Sequence, residues 1–251
     1  MATALSVNLN AIALLRNRRD LPWPNVLHFA RLALDAGAAG ITLHPRPDQR
    51  HARPSDVLAI RQLIRQEFPG RELNIEGYPT NDFIALCIEA EADQVTLVPD
   101  APAQSTSDHG WAVSQNATLL SEAMVALRPA GARISLFVDH DASRSTLEAA
   151  ASLGAARIEI YTGPYGACYD DFSREGEVLD TLGKTADAAL QMGLAINAGH
   201  DLTLANLPRL IARVPRLAEV SIGHQLIADA MEFGLPQTVR RFQAACSGTA
   251  V

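Results

Sequence analysis

A repeated rhythm constrains this chain more than any total does. Short apolar runs of about five residues alternate with longer segments whose apolar residues recur at every third or fourth position. The runs predicted as strands are Ala4–Asn8, Gly40–His44, Glu72–Glu76, Gln94–Val98, Arg133–Asp139, Arg157–Tyr161, Leu194–Asn197 and Glu219–Ile222. Each leads into a polar or Gly/Pro segment and then a helical pattern, giving about eight βα units. Runs such as Ile134-Ser135-Leu136-Phe137-Val138 are nearly continuous in apolar character, as expected for parallel strands covered on both faces. Eight units in 251 residues fit an α/β fold, a closed (β/α)8 TIM barrel forming a single domain over residues 1–251. An open doubly wound sheet fits less well, because no Gly-x-Gly-x-x-Gly follows the first strand. Val26, Phe29, Ala30 and Ala33 form one helical stripe and Val57, Ile60 and Ile64 another, so Arg31, Asp35, Arg61 and Arg65 are expected to face water.

Composition narrows the function classes. With 48% hydrophobic and 20% charged residues the chain can build a sizeable core. A net charge of −7 without a Lys/Arg stripe gives no electrostatic footprint for nucleic acid or an anionic membrane. No apolar block of about 20 residues and no signal-peptide pattern occurs, so the cytoplasm is the expected location. Cys87, Cys168 and Cys246 are odd in number and far apart, which fits reduced thiols. Among 21 basic residues Lys184 is the only lysine, and it falls in a predicted surface helix. A Schiff-base enzyme needs a desolvated lysine in its site, and this chain has none to offer.

In a barrel of this type the chemistry comes from the carboxyl ends of the strands. Here those ends carry Asn8 and Asn10, then His44, Arg46, Arg50 and His51, then Glu76, Asp100 and the segment Thr106 to His109. Further on stand Asp139, His140, Glu159, Tyr161, Asn197, His200 and Gly223-His224. Six of the seven histidines are thus expected on one face, suited to repeated proton transfer. Glu76, ending an apolar strand, is expected to be desolvated and raised towards general-base behaviour. Asn197-Ala198-Gly199-His200-Asp201 and Ser221-Ile222-Gly223-His224 hold glycines that let backbone N–H groups approach phosphate, with a helix beginning near His224. Arg19, Arg46 and Arg50 are candidates for a second anion clamp. Cys168 lies in a loop near the site without an evident base. His44, Glu76, Glu159, His200 and His224 are also ligand types for a divalent ion, so a metal-dependent sugar-phosphate isomerase or epimerase stays open, although no tight ligand spacing occurs. A catalytically silent phosphate-binding barrel stays open too.

At these strand ends the sequence resembles the pyridoxine 5′-phosphate synthase family over nearly its whole length. The resemblance rests on Val7-Asn8, Leu15-Arg16-Asn17, Gly40-Ile41-Thr42-Leu43-His44-Pro45-Arg46 with Arg50-His51, and Asn74-Ile75-Glu76. It continues through Leu97-Val98-Pro99, Ile158-Glu159-Ile160-Tyr161-Thr162-Gly163, Asn197-Ala198-Gly199-His200 and Ile222-Gly223-His224. It implies condensation of 3-amino-2-oxopropyl phosphate with 1-deoxy-D-xylulose 5-phosphate into pyridoxine 5′-phosphate, phosphate and water, without metal or organic cofactor, in a cytoplasmic homo-octamer. It also implies roles: His44 and Glu76 as proton acceptors, His200 as proton donor, and Glu159 as a stabiliser of charged intermediates. Asn8, Arg19, Gly223 and His224 match the aminoketone phosphate site, and Arg46, His51 and Thr106 the sugar phosphate site. Three places depart from the family pattern. Asn10-Ala11 replaces an Asp-His pair, which leaves Ala11 without a side-chain contact to the sugar phosphate. Asp201 replaces a glycine whose backbone meets phosphate, and its carboxylate is expected to turn away and cap the next helix. Asp100-Ala101-Pro102 lacks an expected basic pair. The substrate supplies the amine for an imine between the two substrates, consistent with a site rich in His, Glu and Arg and free of Lys.

Overall fold

The structure, a computed structural model, describes residues 2–100, 104 and 106–248. Eight parallel strands follow one another around a closed barrel. They are β1 (Ala4–Asn8), β2 (Gly40–Leu43), β3 (Glu72–Gly77), β4 (Gln94–Leu97), β5 (Arg133–Val138), β6 (Arg157–Tyr161), β7 (Ala195–Gly199) and β8 (Leu217–Ile222). β8 pairs back onto β1, with Leu5 opposite Val220 and Val7 opposite Ile222, so no edge remains open. Helices separate successive strands, which makes the fold a (β/α)8 barrel. β7 runs two residues further than the sequence predicts, because Ala198 and Gly199 continue the ladder against Ile160 and Tyr161.

The helical stripes pack inward as expected: Val26, Ala30 and Ala33 are buried in the helix Val26–Asp35, and Val57, Ile60 and Ile64 in the helix Pro54–Glu67. Arg61 is a correction, because it does not face water. Its guanidinium is buried, donating from Nε to the Ala90 carbonyl at 2.7 Å and pairing with Asp93 at 2.9 Å. Fixed acceptors at the turn before β4 offset the cost of taking that charge from solvent.

The second correction concerns the barrel interior. The strands are not apolar on both faces. Their outward residues, such as Val7, Ile41, Ile75, Val95, Leu136, Ile158 and Val220, form the core with the helices. The alternate residues Ser6, Thr42, Asn74, Gln94, Thr96, Ser135, Glu159, Asn197 and Glu219 are buried and polar. Gln94 on β4 donates to Glu219 on β8 at 3.2 Å, and Thr96 on β4 donates to Glu159 on β6 at 3.4 Å. Bonds between strands that are not neighbours in the barrel cross its inside, so the inside is a polar network. Arg157 extends it, donating to Asn197 at 2.9 Å and to Glu219 at 3.0 Å. Buried charge of this kind costs desolvation unless it is paired, and the pairing here runs from strand to strand.

Candidate active site

At the carboxyl ends of the strands a cavity of about 460 Å³ opens between the loops. Asn8, Asn10, Ala11, His44, Arg46, His51, Glu76, Thr106, Tyr161, His200, Asp201, Gly223 and His224 line it. Of the catalytic and anion-binding candidates named from sequence, Arg19, Arg50 and Glu159 are not in this lining. Arg19 is exposed on the connection after the helix Asn10–Arg16, so its own chain does not bring it to the cavity. Glu159 lies fully buried below the floor. His109 and His140 also stay outside, so four of the six histidines expected on this face share the cavity. Cys168 is buried, its thiol donating to the Pro164 carbonyl at 3.2 Å, and it does not line the cavity. Ala101 and Pro102 lie outside the described residues.

Short local bonds set the β1–β2 side. The Asn8 amide oxygen accepts from the Asn10 backbone N–H at 2.9 Å, and the Asn10 amide oxygen accepts from the His44 N–H at 2.9 Å. The Asn8 amide nitrogen faces Glu76 at 3.5 Å. Asn10 therefore links the first two strand ends as well as lining the cavity. Around β2, Arg46 is buried and forked, one arm donating to the Gln104 carbonyl at 2.5 Å and the other to Asp100. Asp100 also accepts from the Ser107 hydroxyl at 2.7 Å and lies 3.7 Å from His44 Nε2. From sequence Asp100 stands at a strand end and in a loop lacking the expected basic pair, with no role of its own. Its contacts to Arg46 and Ser107 come from other segments, which no local pattern reveals.

The glycines divide into two kinds. The helix His224–Phe233 begins at the predicted residue, with Gly223 before it, so its free N–H groups face the cavity mouth. A Cβ at Gly223 would lie 3.1 Å from Asn8 Cβ, crowding a neighbouring candidate ligand. Gly199 serves a different need from the one expected. A Cβ there would fall 2.5 Å from a Glu159 carboxylate oxygen, so this glycine makes room for a buried acid rather than for phosphate.

Beyond it, His200 (φ 77°) and Asp201 (φ 53°) both occupy the left-handed region that non-glycine residues rarely adopt. Thr162 Oγ1 holds this turn through the Gly199 carbonyl at 2.6 Å and through the His200 carbonyl. Strain maintained against such bonds is typical of functional sites. The ring of His200 is wedged between Phe137, at 5.2 Å between centroids, and Tyr161 at 5.5 Å. Asp201 does not cap the next helix. Thr203 and Asn206 close that turn on each other, at 2.8 and 3.1 Å, and Asp201 stays on the cavity wall.

Burial sets the protonation states. It pushes the His44 imidazole well below its ordinary range, and Arg46, His51, His200 and Arg50 add to the effect. His51 is brought down to about 4 by burial and by Arg46 and Arg50. His200 is lowered by burial, against the opposing pull of Asp201 and Asp100. All three are neutral bases at pH 7. The carboxyls move the other way. Glu76 is raised well above its ordinary value by burial and by the charges of Glu159, Asp100 and Glu219, and Glu159 is pushed up to about 8 by burial and Glu219. Neutral bases and protonated acids packed together can move protons in both directions. Among the described residues no three His, Cys, Asp or Glu side chains are grouped so as to hold a metal ion, so the isomerase reading finds no ligand set there.

A closed (β/α)8 barrel with its titratable, phosphate-suited cavity at the strand carboxyl ends places the chain in the class of barrel enzymes. Residues 5–248 match the profile of the family described as pyridoxal phosphate biosynthesis protein PdxJ, and the chain belongs to that family. It is 60% identical over 246 residues to pyridoxine 5′-phosphate synthase of Agrobacterium fabrum, covering 98% of both chains. It is 56% identical over 250 residues to the enzyme of that name from Rhizobium meliloti, covering 100% of both. Among solved structures, a mutant tryptophan synthase α-subunit from Pyrococcus furiosus superposes with a TM-score of 0.66 at 13% identity, covering 98% of each chain. A Mycobacterium tuberculosis tryptophan synthase superposes with a TM-score of 0.64 at 14% identity, covering 98% of this chain and 93% of that one. At such identities the likeness is one of fold.

Proposed function

We propose that the chain is a pyridoxine 5′-phosphate synthase, condensing 3-amino-2-oxopropyl phosphate with 1-deoxy-D-xylulose 5-phosphate to give pyridoxine 5′-phosphate, phosphate and water. The observation that carries this reading is the inventory in and beneath the cavity: imidazoles lowered by burial, the carboxyls of Glu76 and Glu159 raised by it, and a buried arginine, with Lys184 73% exposed and paired to Asp180 on the helix Phe172–Gln191. Ring closure from an imine between the substrates needs several proton shifts and two anion pockets, and no enzyme amine. His44 and Glu76 accept protons, His200 donates, and Glu159, held beneath Gly199, stabilises charged intermediates.

Burial, and after it the charges of Glu159, Asp100 and Glu219, raises Glu76 well above its ordinary value and favours its protonated form. Arrival of the cationic amine of the aminoketone reverses that balance, so Glu76 becomes a base only with substrate in place. Asn8, Gly223 and His224 receive the aminoketone phosphate at the helix start, and Arg46, His51 and Thr106 the sugar phosphate on the β2–β4 side. Asn10 and Asp201 border the substrates, and Arg19 reaches a site only if a neighbouring subunit supplies it. We place the protein in the cytoplasm as a homo-octamer acting on small phosphorylated substrates, with neither nucleic acid nor membrane as a partner. Among the described residues no helix is long and apolar enough to cross a membrane. Supplying both substrates to purified protein should give pyridoxine 5′-phosphate and one phosphate per turnover, detected by fluorescence and phosphate release. Binding without product would favour the silent barrel instead.

A further inference from the structure

Asp100 lies three residues beyond β4 and is buried, yet none of the roles given above falls to it. One of its oxygens, Oδ2, receives Arg46 and the Ser107 hydroxyl and lies 3.7 Å from His44 Nε2. The other, Oδ1, is buried without a hydrogen-bond partner among the described residues. A carboxylate concentrated on one oxygen between a guanidinium and an imidazole fixes both partners in angle and supplies negative charge where a proton arrives. We infer that Asp100 is a positioning residue, orienting the Arg46 fork towards the sugar phosphate and stabilising His44 when it becomes an imidazolium. The inference rests on the reading of His44 as a proton acceptor and Arg46 as a phosphate ligand.

His44 faces Arg46, Arg50 and His51 from its own loop and His200 from beyond β7, all of which oppose a positive charge on it. Glu76 shares the cavity from β3, where burial and the neighbouring acids favour its protonated form. Asp100 is thus the acid placed against the His44 ring itself. A carboxylate within about 4–6 Å favours the charged form of its neighbour, so losing the Asp100 charge should weaken His44 as a base.

The test compares the pH dependence of kcat in wild type and in Asp100→Asn, which keeps the side chain's size and removes its charge. The acid limb should move at least about one unit further to acid, because His44 then protonates less readily, and kcat at neutral pH should fall about tenfold or more. KM for the aminoketone, bound across the cavity, should stay within about twofold. Asp100→Glu should recover part of the rate, and Ser107→Ala, which keeps the charge and removes a competing donor from the same oxygen, should move the limb slightly in the opposite direction, to higher pH. These milder variants decide the matter if Asp100→Asn does not fold. A lowered melting temperature with the acid limb unmoved in every variant would make Asp100 a structural residue and overturn the inference. His44→Gln, measured alongside, separates the two levels. If it is inactive while the Asp100 variants keep the wild-type limb, only the positioning role fails. If it retains turnover, the base assignment fails and takes the inference with it.

Discussion

The two ends of this barrel handle charge in opposite ways. At the amino end, charges meet partners near water: Arg133 pairs with Glu72, and Arg65 with Glu91. At the carboxyl end, His44, Arg46, Glu76 and Asp100 are buried together, and His51 Nδ1 and His200 Nδ1 have no hydrogen-bond partner among the described residues. Exposed pairs are screened and contribute little, whereas buried titratable groups without full pairing are costly and are kept where chemistry needs them. The difference lies in pairing: buried Arg61 and Glu219 towards the amino end are tied to fixed partners, whereas the cavity at the carboxyl end gathers buried imidazoles and carboxyls whose protonation burial shifts.

The sharpest way to break that comparison is at Glu76. Glu76→Gln keeps the shape and removes proton acceptance, so steady-state turnover should fall by roughly 10²-fold or more with folding intact. Near-normal turnover would make the carboxyl end as inert as the amino end. Next in size, Gly223→Val should weaken the aminoketone phosphate by about 1–2 kcal/mol, on the scale of a lost charge-assisted hydrogen bond, because the new side chain displaces Asn8. Calorimetric titration with that substrate checks it, and unchanged affinity would remove Gly223 and Asn8 from the phosphate site.

A pH series sharpens the comparison through stability. Glu159, raised to about 8 in the fold, stays protonated after an unfolded glutamic acid has ionised. Its contribution is therefore complete below the unfolded value and lost as pH rises towards 8. His51, lowered to about 4, works in the opposite sense, its contribution being lost as pH falls below the ordinary histidine range towards 4. Between roughly pH 6.5 and 8 only the glutamate part remains of these two. The melting temperature should fall over that window, and the fall should be smaller in Glu159→Gln. An identical fall in both proteins would show that Glu159 is not held protonated.

At the amino end, Arg133→Ala should leave kcat unchanged and cost at most about 0.5 kcal/mol in urea unfolding, since both partners are about one-third or more exposed. A loss of activity there would dissolve the contrast between the ends. The smallest effect is expected from Lys184→Arg, which should match wild type in rate because that side chain lies on an outer helix. A borohydride-trapped adduct at Lys184 would contradict an imine formed between the substrates.

The chain by itself determined its strand count and order. Each strand is a local run such as Ala4–Asn8 or Arg157–Tyr161, bounded by local turn chemistry, and both ranges match the fold. It likewise determined the chemistry on offer, since a missing lysine cannot be supplied by folding, and His44, Glu76 and His200 stand at strand ends that a closed barrel must gather. The tertiary structure alone decided which face of each strand is polar, because Val95-Thr96-Leu97-Val98 reads the same whether Thr96 is tolerated in a core or bonded across the barrel to Glu159. It also decided that Gly199 makes room for Glu159, that Arg61 is buried, and that Asp100 meets Arg46. The physical reason is sequence distance: Gln94 and Glu219 are 125 residues apart, and closure of the barrel brings them to 3.2 Å.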